Sequence, residues 1–213
     1  MALSLVELFY AGGSMMWALL ICSVVGLGII IVKYFTLTIA GVQSKKLLAQ
    51  VNELLSQRKF KEATKCCETS KGPVAAILYS GLRKLDQGAE RVVRAIEHTG
   101  SMELSFLERG LVALATIATI APLMGFLGTV AGLIQAFGAI EAYGEVDAVL
   151  VAGGIKVALI TTATGLIIAI PISAAHSYFV TKVDRIILDM EETSENMVDL
   201  IYQMDQSAAG GSK

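Results

Sequence analysis

Thr129 and Thr162 are the residues whose type and setting suggest chemistry, because each places a hydroxyl deep inside a long apolar run. Residues 110 to 140 carry no charged side chain, and a second uncharged run extends from Val157 to Thr181. Around Thr129 stand Pro122, Gly125, Gly128 and Gly132, small residues and a proline on neighbouring helical turns. Around Thr162 the stripe Ile155, Ala158, Thr162, Gly165, Ala169 and Ser173 follows helical spacing, with Thr161 and Thr164 beside it and Pro171 nearby. Small residues let helix backbones approach closely in lipid, where burial alone drives little association. At 1.5 Å per residue, Thr129 lies about 18 Å inward from Glu141 and Thr162 about 9 to 15 Å inward from the start of its run. Two antiparallel helices joined by a short loop would bring the hydroxyls to similar depth. A paired hydroxyl layer there is a station for an ion or water. A membrane threonine more often only returns its hydroxyl to its own backbone one turn back. Pro122 and Pro171 would bend their helices, each freeing a carbonyl.

The missing groups are as informative. No Asp, Glu or Lys falls at mid-membrane depth; Lys156 lies near one end of its run and His176 near the other. Proton relays in membranes need an ionisable side chain. If this chain conducts protons, another chain must bring the titrating group.

Three apolar runs are long enough to span a bilayer, which takes about 20 residues as helix. The first is centred on MMWALLICSVVGLGIIIV, with Trp17 at one end and Lys33 and Tyr34 at the other as interface anchors. Composition agrees, at 54% hydrophobic and 17% charged with mean hydropathy +0.65, well away from soluble averages. A net charge of −2 without a basic, aromatic-interleaved patch gives no reason to expect nucleic acid. Cys22, Cys66 and Cys67 lack metal-ligand spacing and read as reduced structural thiols. No nucleophile–base pair or phosphate loop is visible, so no catalytic residue, metal or cofactor is expected. The N-terminus has no basic stretch before its apolar run, and no removable signal peptide is expected.

Residues 45 to 109 hold twelve Lys or Arg against eight Asp or Glu, which places them in the cytoplasm by the positive-inside rule. The expected organisation is an external N-terminal segment (1–14, with a short surface helix turning Leu5, Leu8 and Phe9 inward), a first span (15–42) and a cytoplasmic helical domain (43–109). A second span (110–140), a short acidic periplasmic loop (141–151, with Glu141, Glu145 and Asp147) and a third span (152–181) follow. In the domain, Leu47, Leu48, Val51, Leu54 and Leu55, and again Ala89, Val92, Val93 and Ile96, repeat at helical spacing, with Gly72-Pro73 between helices. The tail 182–206 carries a 3–4 seam, Val183, Ile186, Met190, Thr193, Met197, Leu200 and Met204, for packing on the 89–109 helix or a neighbouring copy. Residues 207–213 read as a disordered end. The fold class is all-α integral membrane protein, with three transmembrane helices, long cytoplasmic helical extensions and a homo-oligomeric bundle.

The stretches LERGLVALATIATIAPLMGFLGTVAGLIQAF (107–137) and GGIKVALITTATGLIIAIP (153–171) resemble the TolQ/ExbB/MotA proton-channel family, closest to its three-span ExbB and TolQ branch. The first holds the A-P-x-x-G-x-x-G-T-V core with Thr129, the second the A-L-x-x-T-A-x-G-L core with Thr162. The resemblance implies a homopentamer in the bacterial inner membrane, N-terminus periplasmic and C-terminus cytoplasmic. It further implies a central pair of single-span ExbD- or TolR-like chains carrying a transmembrane aspartate, and a further TonB- or TolA-like chain. Thr129 and Thr162 would line the ion path. Pro122, Gly125, Gly128, Gly132, Ala158, Thr161, Gly165, Ala169 and Pro171 would line the pore or pack its helices. Proton flow would then drive rotation of the partner pair and work across the periplasm. Many ExbB-like chains carry a glutamate just before the A-L pair, where this one has Lys156 and Val157, so no acidic pathway residue is assigned here. The extra hydroxyls of Thr161 and Thr164 keep sodium open as the ion. The rival from another class is a structural membrane scaffold whose threonines only pack. A solute transporter fits poorly with three spans and no inverted repeat.

Overall fold

A computed structural model describes residues 5–57, 59–143 and 148–210, and nearly all of them are helical. Helix α1 is Leu5–Ala11, α2 Met15–Ser56, α3 Phe60–Thr69 and α4 Pro73–Leu82. After a single 3-10 turn at Leu85–Gln87 come α5 (Ala89–Glu108), α6 (Leu111–Tyr143) and α7 (Ala148–Gly210). Among the described residues, α2, α6 and α7 are the helices long and apolar enough to cross a membrane. Neither Pro122 nor Pro171 interrupts its helix. Four breaks between helices carry a glycine at positive φ, Gly13, Gly72, Gly88 and Gly110, and two of them matter most here. Gly72 (φ +125°) sets Pro73 at the start of α4, where a missing N–H costs nothing. Gly110 (φ +90°) separates α5 from α6.

The chain divides into two compact units. The first takes residues through Val32 together with Gly110–Tyr178. Its core cluster is Met16, Leu19, Ala121 and Ala169, with Phe9, Met124, Ile160 and Ile168 packed on it. Phe9 meets Trp17 edge to face at 5.0 Å, so α1 folds back on the start of α2 across Gly12-Gly13. Leu8 and Phe9 are half-buried, Phe9 against the protein's own core cluster, and the side chain of Leu5 lies outside the described residues. Outward stand Ile21, Val24, Leu123, Phe126, Leu159 and Ile167, an apolar surface too extensive to face water.

The second unit takes Lys33–Arg109 and the chain from Phe179 onward. Leu47, Val51 and Leu55 of α2 are buried there, as are Val74, Ile77 and Leu78 of α4 and Val92 and Ile96 of α5. The expected seam of α7 is buried at Val183, Ile186, Met190, Thr193 and Met197. Thr193 is tolerated because its hydroxyl donates to the Asp189 carbonyl one turn back. The seam packs within its own chain. Met197 lies against Gly81 of α4, where a Cβ would sit 2.7 Å from Met197 Cε and 3.0 Å from Ile96 Cγ1. Beyond Met197 the buried position is Ile201, while the side chains of Leu200 and Met204 lie outside the described residues.

Two expectations change. Helix α7 carries on to Gly210, past the 207 at which a disordered end was expected; residues 211–213 lie outside the described residues. Lys33, expected as an exposed interface anchor, is buried at 7% exposure, and its Nζ donates to the Leu107 carbonyl at 2.7 Å. The last turn of α5 has no basic side chain of its own, and its free carbonyls carry partial negative charge. Lys33 supplies the cation from α2. The expected anchors Trp17 and Tyr34 are exposed, and Lys182 donates to Thr38 Oγ1 at 2.9 Å with its ammonium 5.9 Å above the Tyr34 ring.

Candidate functional site

The site is made where α6 and α7 touch inside the first unit. Gly125, Gly128 and Gly132 recur at spacings of three and four, so they form one face of α6, and all three are buried. Against them lie Gly154, Ala158, Thr161 and Gly165 of α7, also buried. The backbones approach so closely that side chains cannot be added. A Cβ on Gly132 would stand 2.7 Å from the Gly154 carbonyl oxygen, and one on Gly165 2.6 Å from the Ala121 oxygen. On Gly125 it would lie 3.0 Å from the Thr161 oxygen, and on Gly128 2.6 Å from Thr161 Cβ. Gly128 is the hollow that receives the Thr161 side chain.

At the edge of this contact Thr129 and Thr162 meet hydroxyl to hydroxyl. Thr162 Oγ1 also reaches the Gly125 carbonyl at 3.1 Å, and Thr129 Oγ1 has the Ala158 carbonyl at 3.3 Å and the Gly125 carbonyl at 3.4 Å. Each hydroxyl has one proton to give and can still accept. The proton order can therefore run Thr129 to Thr162 to Gly125 O, or Thr162 to Thr129 to Ala158 O. Both side chains are half-buried in the single chain, so the pair is reachable from outside it. Thr161 and Thr164 behave otherwise. Thr161 is fully buried and returns its hydroxyl to Val157 O (3.1 Å) or Ala158 O (3.0 Å); Thr164 donates to Ile160 O at 2.8 Å. These two do what a membrane threonine usually does.

The structure thus brings together Thr129, Thr162, Gly125, Gly128, Gly132, Ala158, Thr161 and Gly165. Ala169 is buried in the neighbouring core with Ala121, Pro122 is half-buried, and Pro171 is exposed rather than packed. The buried line of α7 runs Gly154, Ala158, Thr161, Gly165, Ala169, Ile172. The expected stripe is off by one at three of its six positions: Ile155 and Ser173 are exposed and Thr162 is half-buried, where Gly154, Ile172 and Thr161 are buried. Gly154, Ala121 and Ala136 are contact residues that sequence reading missed. Four residues before Ala158, Gly154 continues the small-residue row and could have been found by that spacing.

Between the helix ends, the described part of α6 and of α7 up to Tyr178 carries no carboxylate; Glu141 stands at the end of α6. Lys156 is exposed and His176 half-buried. The expected loop acids Glu145 and Asp147 lie outside the described residues. Among the described residues no three His, Cys, Asp or Glu side chains converge as a metal site would need.

Comparison with known proteins bears on the same helices. The profile of the MotA/TolQ/ExbB proton channel family matches residues 69–192, a range that contains all of α4 to α6 and the glycine–threonine contact. The chain belongs to this family. It is 30% identical over 197 residues to the biopolymer transport protein exbB1 of Vibrio cholerae, covering 89% of this chain and 85% of that one. It is 30% identical over 182 residues to an ExbB homologue of Methanothermobacter thermautotrophicus, covering 85% of this chain and 64% of the longer relative. The Tol-Pal system protein TolQ of Haemophilus influenzae is 32% identical over 126 residues, 57% of this chain and 54% of its own length. The chain is a transmembrane member of a transport family, and its three apolar helices fit a multi-pass inner-membrane protein.

Proposed function

We propose that the chain is the channel subunit of an ion-driven inner-membrane motor, in which a different polypeptide carries the titrating carboxylate. The observation that carries this reading is the Thr129–Thr162 hydroxyl pair, which bridges α6 and α7 at a depth where the described helices hold no acid. A pair with two interchangeable proton orders can hand a hydrogen bond to a passing carboxylate, hydronium or water without itself becoming charged. In the complex, five copies surround the transmembrane helices of two ExbD- or TolR-like chains, and each hydroxyl pair meets the partner aspartate as that pair turns. Ion flow down its gradient is converted to work across the periplasm through a TonB- or TolA-like chain. The N-terminus is periplasmic and the C-terminus cytoplasmic, in agreement with the basic residues of the second unit.

One observation favours sodium as the alternative ion. The hydroxyl pair lies beside the Gly125 and Ala158 carbonyl oxygens, so four oxygens are grouped as a hard cation prefers. The scaffold reading draws on Thr161 and Thr164, whose hydroxyls are satisfied within their own helix. Mass analysis of the complex drawn gently from membranes tests the proposal. Several copies of this chain with fewer copies of a single-span chain bearing one intramembrane acid are expected. A particle containing this chain alone that still passes protons would overturn it.

A further inference from the structure

An open groove of about 450 Å³ runs between α5 and α7 in the second unit. Its floor is apolar, with Ile96 and Leu104 on one side and Ile187 and Met190 on the other. Its rim is acidic, from Glu97 on α5 and Glu191 and Glu195 on α7, and no Lys or Arg lines it. The ion pairs seen among the described residues are Lys59–Glu62 and Arg94–Glu90, so none of the three rim carboxylates is paired there. Exposed carboxylates around an apolar floor complement a cationic occupant with an apolar stem, which is what a lysine side chain is.

The same unit presents such a surface elsewhere. On α3 the side chains of Lys61 and Lys65 are exposed one turn apart, and neither has an acidic partner among the described residues; of the exposed acids of this helix, Glu62 pairs with Lys59 and Glu68 stands a turn beyond Lys65. Helix α3 packs on α4 and contributes no residue to the groove. The two surfaces also stand at one level along α7. Near the start of α3, Lys59 and Phe60 share a cleft with Ile201; near its end, Cys67 shares a cavity with Thr36 and Ala40, flanking the Thr38 that Lys182 bonds. Helix α3 therefore extends alongside α7 between Lys182 and Ile201, and the groove residues Ile187 to Glu195 fall within that interval. A contact between unlike faces closes into a ring only when both lie at matching height about the axis.

We propose that the α5–α7 groove of one copy receives the Lys61–Lys65 face of α3 from the next copy, a heterologous contact joining the second units around a ring. It rests on the oligomeric reading above and names the surfaces that carry it. Interspersed weak charge contacts of this kind set partner choice and register more than affinity.

Two differently tagged copies, one Lys61→Cys and one Glu195→Cys, each in a Cys66→Ser background, are expressed together and oxidised in the membrane. A disulfide joining the two tags is expected, with neither variant linking to itself. Self-linked Glu195→Cys copies would mean like faces meet and would overturn the proposal. So would the lack of any mixed product while gentle mass analysis still shows several copies, a result that leaves the motor reading standing. As a second measure, Glu191→Lys with Glu195→Lys should loosen the assembly several-fold at low salt, and Lys61→Glu with Lys65→Glu in the same chain should restore it. Failure of the restored chain to reassemble, though each variant elutes as a folded species, also counts against the contact.

Discussion

Replacing Thr162 by valine separates a hydroxyl that works from one that packs. Valine matches threonine in shape, so the close α6–α7 contact is kept and only the Oγ1 bonds are lost. Those bonds run to the Gly125 carbonyl at 3.1 Å and to the Thr129 hydroxyl. Gly125 O still accepts the helical N–H four residues on, and Thr129 keeps the Gly125 and Ala158 carbonyls at 3.4 and 3.3 Å. No buried group is orphaned. The expected stability loss is about 0.6 kcal/mol, the average for an interhelical bond in lipid, and below the ~1 kcal/mol of a bond in water. The complex should therefore assemble at normal yield. Ion flux into proteoliposomes containing the purified complex, read with a pH-sensitive or sodium-sensitive dye, should nonetheless fall to background. Thr162→Ser keeps the hydroxyl and loses a methyl, at a cost of roughly 1 kcal/mol, and should retain flux. Wild-type flux in the valine variant would refute the reasoning. A valine variant that falls apart would show that the hydroxyl serves assembly instead, and the scaffold reading would gain.

Gly132→Ala places a methyl 2.7 Å from the Gly154 carbonyl oxygen, so the helices must part; a loss of about 1–3 kcal/mol is expected in detergent unfolding, and an unchanged midpoint would contradict the packing. Lys33→Met removes the cation from the end of α5 and should cost about 1–2 kcal/mol, with faster amide exchange at Glu108 and Arg109; unchanged exchange there would argue against the capping role. Burial, and then the neighbouring Cys66, pushes the Cys67 thiol up to about 12. At pH 8 iodoacetamide should consequently modify Cys66 well before Cys67, and equal rates in peptide mapping would be inconsistent with that burial. Because the folded value is the higher one, the thiol's contribution to stability is complete below the unfolded value near 8.5 and is lost as pH climbs toward 12.

Much of this architecture is legible along the chain. Lipid-spanning length, the absence of charge and the placement of Gly72-Pro73 and Gly110 are local properties, and so α2, α4 and α6 begin and turn near where the residues say. The seam from Val183 to Met197 is legible too, because a 3–4 alternation over five positions averages out any single error in phase. Phase itself is where reading from residues alone falls short. Adjacent residues on a helix point about 100° apart, so a stripe through Thr162 and one through Thr161 fit the same small-residue pattern. Tertiary structure decides between them: the hollow at Gly128 takes Thr161, which then bonds within its own helix and leaves Thr162 at the edge facing Thr129. The partner of Lys33 was equally hidden, for its target is a backbone carbonyl 74 residues away and carbonyls have no letter in the sequence. What the sequence determined by itself is which segments are long and apolar enough to cross a bilayer and which of them carry small residues that let another helix approach. What the fold alone decided is which hydroxyl is spent on packing and which is left available, because that depends on the shape of a second helix.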